Sequence, residues 1–240
     1  MEPERCTLAV EGLCVDYGRL RAVDDCSFTL AAGALTLMTG HNGAGKSSCI
    51  LAIAGAVPMA GGAISLACGG SIERHSRIGI GQLAARGVSV VPSGHAIFPN
   101  LTVLENLQVP SLSPAGTRAS AAIDRVLDEI FPALRPLAGR HGGALSGGER
   151  QQLAIALSLV CQPRVLVVDE PSAGVAPGVV QRIAAVLREL ADGGTAVLVA
   201  EQNLHAFLPV ATEVLVMKRG RIRFSAPAAQ TSAPMLWELL

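Results

Sequence analysis

The octapeptide Gly40-His-Asn-Gly-Ala-Gly-Lys-Ser47 decides the fold of this 240-residue chain. It fits the pattern G-x-x-x-x-G-K-[ST], in which glycines let the backbone curl until several N–H groups point at one phosphate. Its lysine is one of only two in the sequence. The ammonium can reach the β- and γ-phosphates, and the Ser47 hydroxyl can ligate Mg²⁺. The alternative is a glycine-rich turn with a solvated lysine. The predicted phosphate-binding residues are Gly40, His41, Asn42, Gly43, Ala44, Gly45, Lys46, Ser47 and Ser48.

The residues on either side of this loop favour phosphate binding. Residues 35–38 form a short apolar run, as a buried parallel strand requires. After the loop, apolar residues recur at helical spacing from Ile50 to Val57, and Gly55 and Pro58 mark the end of that helix. Strand, loop and helix therefore follow in the order that a P-loop needs, and the helix N-terminus adds its positive dipole end to the site.

Composition limits the class of protein. Half of the residues are hydrophobic, 16% are charged and 3% are aromatic, which is typical of a globular α/β fold with buried strands. The formal net charge of zero argues against a nucleic-acid binder, which normally carries a basic surface. No apolar stretch reaches the about 18 residues of a membrane span, and no signal peptide is recognisable. We therefore expect a cytosolic protein.

The cysteines are scattered. Six are present, without a C-x-x-C pair. This pattern predicts small buried or half-buried thiols in a reducing compartment, and neither a disulfide framework nor a metal site.

The pattern of elements predicts one α/β domain over residues 5–225. Apolar runs at 88–91, 165–168, 195–199 and 213–217 read as strands, and helices between them indicate a parallel sheet. The core is expected at about 5–92 and 161–225, with a helical subdomain at about 93–160 and an unassigned tail at 226–240. Further helices are predicted over residues 78–86, 102–109, 117–131, 146–160 and 177–190.

Two carboxylates end one of these strands. Asp169 and Glu170 follow the run Val165-Leu-Val-Val168. A buried strand that delivers an aspartate at its tip is the Mg²⁺-holding half of a P-loop NTPase, and Glu170 is placed to polarise the attacking water. The alternative is a solvated acidic pair at a strand end.

A second glycine-rich helix start occurs at Leu145-Ser-Gly-Gly-Glu149. Ser146 and Glu149 fit a capping box, which is a generic helix start. Generic caps do not need two glycines in the first turn, where they cost helix stability. Gly147 and Gly148 leave bare N–H groups and room for a ligand, so the segment predicts a second anion-binding helix end.

The P-loop, the Asp-Glu strand and this segment together resemble the ATP-binding cassette (ABC) family, over about residues 8–222. The resemblance implies a P-loop NTPase (RecA-like) core with an N-terminal antiparallel β subdomain and an inserted helical subdomain. It implies ATP and Mg²⁺ as ligands. It also implies a head-to-tail dimer, in which the family's signature, here Leu145, Ser146, Gly147, Gly148 and Glu149, closes over ATP held by the other subunit.

Three further positions carry over from the family. Tyr17 matches the aromatic residue that stacks on adenine; the alternative is a turn tyrosine. Ser93 stands where the family has a glutamine or glutamate that helps to ligate Mg²⁺, and it is too short to do so directly. Gln202 occupies the position at which the family has its switch histidine. A glutamine can hydrogen-bond a γ-phosphate but cannot carry a proton. The substitutions at both positions predict slower hydrolysis. The residues predicted to act in catalysis are still Glu170 and Gln202, and those predicted to bind the metal are Ser47, Asp169 and Ser93.

The segments 97–106, 169–177 and 201–203 resemble one branch, the shorter ATP-binding subunit of branched-chain amino acid importers. That branch implies ATP hydrolysis at the cytoplasmic face of the cell membrane and a homo- or heterodimer of ATPase subunits. Its further partners are transmembrane permease subunits and, indirectly, a substrate-binding protein, with no nucleic acid. Alternatives are a catalytically weak partner subunit, a non-transport ABC ATPase and, more distantly, a small-molecule kinase. The arginines at 219, 221 and 223 fit a hairpin with solvated charges or a contact with lipid headgroups.

Overall fold

The computed structural model describes residues 5–77, 79, 81–94, 97–112 and 119–240. In this part of the chain, ten strands form two sheets. The strands are Cys6–Tyr17 (β1), Leu20–Leu30 (β2), Leu35–Thr39 (β3), Gly61–Cys68 (β4), Ser71–His75 (β5), Val88–Val91 (β6), Val165–Asp169 (β7), Ala196–Ala200 (β8), Glu213–Lys218 (β9) and Arg221–Pro227 (β10). The α-helices are Lys46–Ile53 (α1), Val103–Gln108 (α2), Ala119–Arg125 (α3), Gly147–Val160 (α4), Pro177–Asp192 (α5), Leu204–Phe207 (α6) and Ala233–Leu239 (α7).

The larger sheet has the order β10-β9-β3-β8-β7-β6, and within the described residues only β10 runs antiparallel to its neighbour. Every residue of β3, β7 and β8 is buried, as expected for central strands covered on both faces. Parallel strands bring their carboxyl ends to one edge of the sheet. The segments after β3, β7 and β8 therefore meet there, and these are the P-loop, Glu170 and residues 201–203.

The smaller sheet is antiparallel, with the order β2-β1-β4-β5. Alternate residues of β1 are buried against the core, while residues between them are partly exposed. This sheet is the expected N-terminal antiparallel β subdomain, and the predicted α/β architecture with a P-loop core is confirmed.

One sequence-based expectation about the cysteines was wrong. Cys6 of β1 lies directly opposite Cys68 of β4, and the two form a disulfide across a Cα–Cα distance of 4.4 Å. Strand pairing brings together residues that are 62 positions apart, which their spacing along the chain cannot indicate. The other four cysteines are free thiols.

The helical region between β6 and β7 departs in detail from the predicted helices. The helix predicted over 117–131 is described from residue 119 and continues from α3 into a π-helical turn at Val126–Ile130; positions 117 and 118 lie outside the described residues. The helix predicted over 78–86, which precedes β6, was wrong in the described part. Only a 3₁₀ turn at Ala84–Arg86 forms there, and Leu83 is the one buried residue among those of the segment that the structure describes, which leave out residues 78 and 80. The division at about residues 93 and 160 stays a prediction.

The C-terminal tail packs on the larger sheet's core. Leu236 of α7 is fully buried, and Ser232 caps this helix by accepting a hydrogen bond from the N–H of Met235. The ammonium of Lys218 donates to the carbonyl of Leu239 at 3.3 Å. The sequence offered no assignment for this segment, because seven helical residues carry too little periodicity to be recognised.

Candidate nucleotide site

The P-loop joins β3 to α1 and depends on two of its glycines. Gly45 has a φ of +106°, in the left-handed region, and a Cβ there would overlap the carbonyl of Ala22. A Cβ at Gly40 would overlap the carbonyl of Met217. The loop therefore packs against β2 and β9 at distances that a side chain does not allow, and α1 begins immediately after it at Lys46.

Lys46 is held inside this loop. Its side chain is only 4% exposed, and its ammonium donates to the carbonyl of Gly40 at 2.7 Å and to that of His41 at 3.2 Å. Burial lowers the pKa of Lys46, and the nearby carboxylates of Glu170, Asp169 and Glu201 act in the opposite direction. One buried cation therefore faces three carboxylates at the edge of the sheet.

A cavity of about 520 Å³ opens beside the P-loop. Its wall includes Tyr17, which is 46% exposed at the end of β1, and Glu170 from the end of β7. Arg21 and Arg219 lie on the same wall, and sequence reasoning did not single out either as a cavity residue. Of the predicted P-loop residues, those lining the cavity are Asn42, Gly43, Ala44, Gly45, Lys46, Ser47 and Ser48. The volume lies within the range typical of small-molecule sites.

Asp169 provides an unsatisfied oxygen at this edge. Its side chain is 2% exposed, and its Oδ1 atom is buried without a hydrogen-bond partner among the described residues. Burial raises the pKa of Asp169, and the hydroxyl of Ser47, the ammonium of Lys46 and the hydroxyl of Ser93 act to lower it. A carboxylate oxygen without a donor, next to a serine hydroxyl, is the kind of oxygen site that Mg²⁺ prefers, so these residues fit a magnesium ion.

Glu170 follows β7 with a φ of +47°, a conformation that residues other than glycine rarely adopt. Its N–H donates to the carbonyl of Ala200 at 2.9 Å, which fixes the backbone across to β8. The side chain lines both the P-loop cavity and a second cavity of about 420 Å³. Strained backbone of this kind concentrates at functional sites, where surrounding contacts maintain it.

The predicted switch residue lies close to the P-loop. The amide Nε2 of Gln202 donates to Oδ1 of Asn42 at 2.8 Å, and both residues line the second cavity. Glu201 lies beside it, 3% exposed, and accepts hydrogen bonds from three backbone N–H groups. Sequence reasoning missed Glu201. The available signal was a charged residue placed directly after a strand whose residues are all buried.

The glycine-rich helix start does not contribute to the walls of these two cavities among the described residues. Ser146 and Glu149 form both halves of a capping box at the N-terminus of α4, and the backbone N–H of Ser146 lowers the pKa of Glu149. Gly147 lies against the carbonyl of Gly174, close enough that a Cβ would stand 3.2 Å from it. Within the described residues, neither cavity is lined by any of Leu145, Ser146, Gly147, Gly148 or Glu149. The two predicted anion-binding helix ends therefore do not meet within one chain.

The sequence matches a known family model and curated relatives. The family model described as ABC transporter matches residues 23–173. The chain is 34% identical to the high-affinity branched-chain amino acid transport ATP-binding protein BraG of Pseudomonas aeruginosa, over 86% of each chain. It is 32% identical to the probable branched-chain amino acid transport ATP-binding protein LivF of Archaeoglobus fulgidus, over 88% of each. It is also 31% identical to the lipopolysaccharide export system ATP-binding protein LptB of Escherichia coli K12, over 90% of this chain and 88% of that protein.

Solved structures agree with these relatives. A nucleotide-free ATP-binding cassette from an ABC transporter superposes with a TM-score of 0.82 at 25% identity, covering 99% of both chains. A second cassette, in its ADP conformation, gives 0.80 at 26% identity over 99% of this chain and 95% of the other. The similarity to branched-chain amino acid transport proteins that the sequence predicted is thereby confirmed. With the P-loop, the Asp-Glu strand end and these matches together, the chain belongs to the ABC transporter family of ATPases.

Proposed function

We propose that this chain is the energy-coupling ATPase subunit of an importer for branched-chain or related amino acids. The observation that carries the proposal is that Lys46 and Glu170 line one cavity, although they come from loops more than 120 positions apart. A phosphate held by the P-loop then lies beside a carboxylate able to act on water.

The reaction proposed for this site is hydrolysis of ATP. The oxygen of a water molecule attacks the γ-phosphorus, and the bond from that phosphorus to the β–γ bridging oxygen breaks. The electron pair of that bond leaves with ADP, and one water proton is released after being accepted by Glu170. Lys46 neutralises the growing negative charge on the phosphate oxygens, and Tyr17 stacks on the adenine.

Ser47, Asp169 and Ser93 are the residues proposed to hold Mg²⁺, which when bound supplies positive charge to the β- and γ-phosphate oxygens. The support is the unpartnered Oδ1 of Asp169 with two hydroxyls beside its carboxylate. Ser93 is exposed and short, so its contact with the ion is proposed to pass through a water molecule. Gln202 serves as a hydrogen-bond donor toward the γ-phosphate in place of a histidine.

A second ATPase subunit completes the proposed site. Ser146 is the N-cap of α4, and the glycines that follow it have bare N–H groups. In the described part of the chain, these residues line neither cavity of their own subunit. A helix N-terminus of this kind favours a bound anion. In a head-to-tail dimer, each signature segment would cover the phosphates held by the other subunit, so that two sites close together.

Membrane permease subunits are the other proposed partners. Two apolar side chains near the start of the helical region are exposed, Phe98 by 49% and Leu104 by 38%. The buried Asn106 fixes this segment, because its side-chain amide bonds both the N–H and the carbonyl of Phe98. Exposed apolar side chains on a rigid support are typical of a docking surface. Among the described residues no helix is both long and apolar enough to span a membrane, so the proposed place at the membrane depends on such partners.

Export is the second candidate function. The similarity to LptB, named for lipopolysaccharide export, covers 90% of this chain at 31% identity, which is close to the 34% and 32% identity to BraG and LivF, named for branched-chain amino acid transport. A third candidate is a weakly active subunit paired with a more active one, which Ser93 and Gln202 favour.

ATP turnover by the purified protein tests the enzymatic part. Wild type is expected to release phosphate from ATP, and Glu170→Gln is expected to bind ATP but to lose at least about 100-fold in kcat. Glu189→Gln on the exposed side of α5 is the matched control and should turn over like wild type. Equal rates for wild type and Glu170→Gln would overturn the proposed mechanism.

Vesicle transport tests direction and substrate. The protein is reconstituted into vesicles with the permease subunits with which it co-purifies. ATP is supplied on the cytoplasmic face, to which this protein binds, and radiolabelled leucine is supplied on the opposite face. Import requires ATP-dependent accumulation of leucine that Glu170→Gln abolishes. Extraction of lipid or glycolipid from the bilayer instead would favour the export function.

A further inference from the structure

Glu201 connects two loops through one buried carboxylate. Its Oε1 accepts a hydrogen bond from the N–H of Ser172 at 2.7 Å, in the loop after β7. Its Oε2 accepts from the N–H of Gln202 at 2.8 Å and from that of Asn203 at 3.0 Å, in the loop after β8. The side chain is 3% exposed, and the three bonds are partly buried.

The connection continues on both sides to the proposed catalytic groups. Ser172 lies two residues after Glu170, and the N–H of Ala173 donates to the Glu170 carbonyl at 3.2 Å, which closes the turn between them. On the other side, Gln202 donates to Asn42 of the P-loop at 2.8 Å. One continuous chain of hydrogen bonds therefore runs from the turn that carries Glu170, through Glu201, to the phosphate-binding loop.

We propose that Glu201 is a positioning residue that keeps Glu170 and Gln202 in register on the two sides of the γ-phosphate. This inference rests on the proposed ATPase mechanism and adds a residue to it. The loop at 172–174 also borders α4, because the carbonyl of Gly174 lies close to Gly147, the first residue of that helix. Glu201 thereby links the loop at 172–174, which lies next to the N-terminus of α4, to Gln202, which is proposed to donate a hydrogen bond to the γ-phosphate.

An ionised carboxylate is required for this link. It has two acceptor oxygens and no donor, and here both oxygens face N–H groups. A glutamine at this position keeps one acceptor oxygen, but its NH₂ group would point at an N–H of one loop. Glu201→Gln therefore releases one loop while it preserves shape and volume. Glu201→Asp keeps the charge but is one methylene shorter, so it reaches only one of the two loops.

The first test is steady-state ATP hydrolysis. Because misplacement of catalytic groups by about 1 Å can cost about 100-fold, we expect kcat to fall about 10- to 100-fold in Glu201→Gln and in Glu201→Asp. The KM for ATP should change by less than about threefold, since the P-loop contacts are kept. Glu189→Gln is the matched control, and ATP binding by each variant is measured separately.

The second test is hydrogen exchange in wild type and Glu201→Gln without nucleotide. Peptides covering residues 170–176 or 201–204 should exchange about tenfold or more faster in the variant, while a peptide from β7 should not change. A kcat within about threefold of wild type, or a uniform rise in exchange across the sheet, overturns the positioning role. If wild type itself hydrolyses no ATP, the proposed function fails, and the exchange result still decides whether Glu201 holds the two loops.

Discussion

Replacement of Asn106 by alanine tests how the helical region presents its proposed docking surface. Asn106 is fully buried, and its side chain makes four hydrogen bonds to backbone. Its Oδ1 accepts from the N–H of Phe98 at 2.8 Å, and its Nδ2 reaches the carbonyls of Phe98, Leu101 and Thr102 at 2.9–3.1 Å. The substitution removes all four bonds and leaves the helix itself intact.

The decrease in the free energy of unfolding that we expect for Asn106→Ala depends on which hydrogen-bond partners of Asn106 are left unsatisfied. The three carbonyls each keep another donor: Leu101 N–H for Phe98, Gly142 N–H for Leu101 and the backbone N–H of residue 106 itself for Thr102. Only the N–H of Phe98 loses its acceptor. One orphaned N–H, together with the net value of two or three lost bonds, gives about 2–4 kcal/mol. For a domain of this size, that corresponds to a drop in Tm of about 6–12 °C.

Thermal unfolding of Asn106→Ala and ATP turnover measure the two halves of this prediction. Tm should fall by the stated amount, and the KM for ATP should stay the same because the nucleotide cavity is not touched. Asn100→Ala is the control, since Asn100 is exposed in the same segment and bonds His141 only through its backbone carbonyl. Equal Tm values for the two variants would refute the reasoning that Asn106 fixes this segment.

Three further predictions concern the nucleotide site. Ser93→Gln and Gln202→His, made singly, should each raise kcat. Ser93→Gln restores a side chain that reaches Mg²⁺, and Gln202→His restores one that carries a proton. No gain from either substitution would show that Ser93 and Gln202 do not limit the rate. Tyr17→Ala should raise the KM for ATP about 10-fold through lost stacking, whereas Tyr17→Phe should leave it near wild type, and equal values for both would contradict stacking. Gly45→Ala should abolish ATP binding in a binding assay, since its Cβ overlaps the Ala22 carbonyl, and retained binding would refute that steric argument.

Much of this architecture could be predicted because its signals are local. The P-loop, the capped helix start at Ser146 and the carboxylates after β7 are each contained within fewer than ten consecutive residues. Their spacing alone indicates a strand end or a helix N-terminus, and parallel strands then bring Lys46 and Glu170 to one edge of the sheet.

The features that sequence reasoning missed depend on contacts between distant segments. Cys6 and Cys68 meet only through strand pairing, and Arg21 reaches the cavity wall only because the antiparallel sheet packs beside the P-loop. Glu201 was passed over because a single carboxylate after a strand resembles a solvated charge until its three N–H partners are seen. The helix predicted over 78–86 was also wrong, since only a 3₁₀ turn at Ala84–Arg86 forms among its described residues, of which Leu83 alone is buried.

We propose that each ATP site is shared between two ATPase subunits, with Lys46 from one and Ser146 from the other, and two copies of this chain serve as the two subunits in the most direct test. Two inactive variants, Lys46→Ala and Ser146→Arg, are mixed in equal amounts and assayed for ATP hydrolysis. A head-to-tail dimer of the two has one site with both defects and one with none, so the mixture should recover about a quarter of the wild-type rate. Activity no greater than the sum of the two separate variants would contradict the claim.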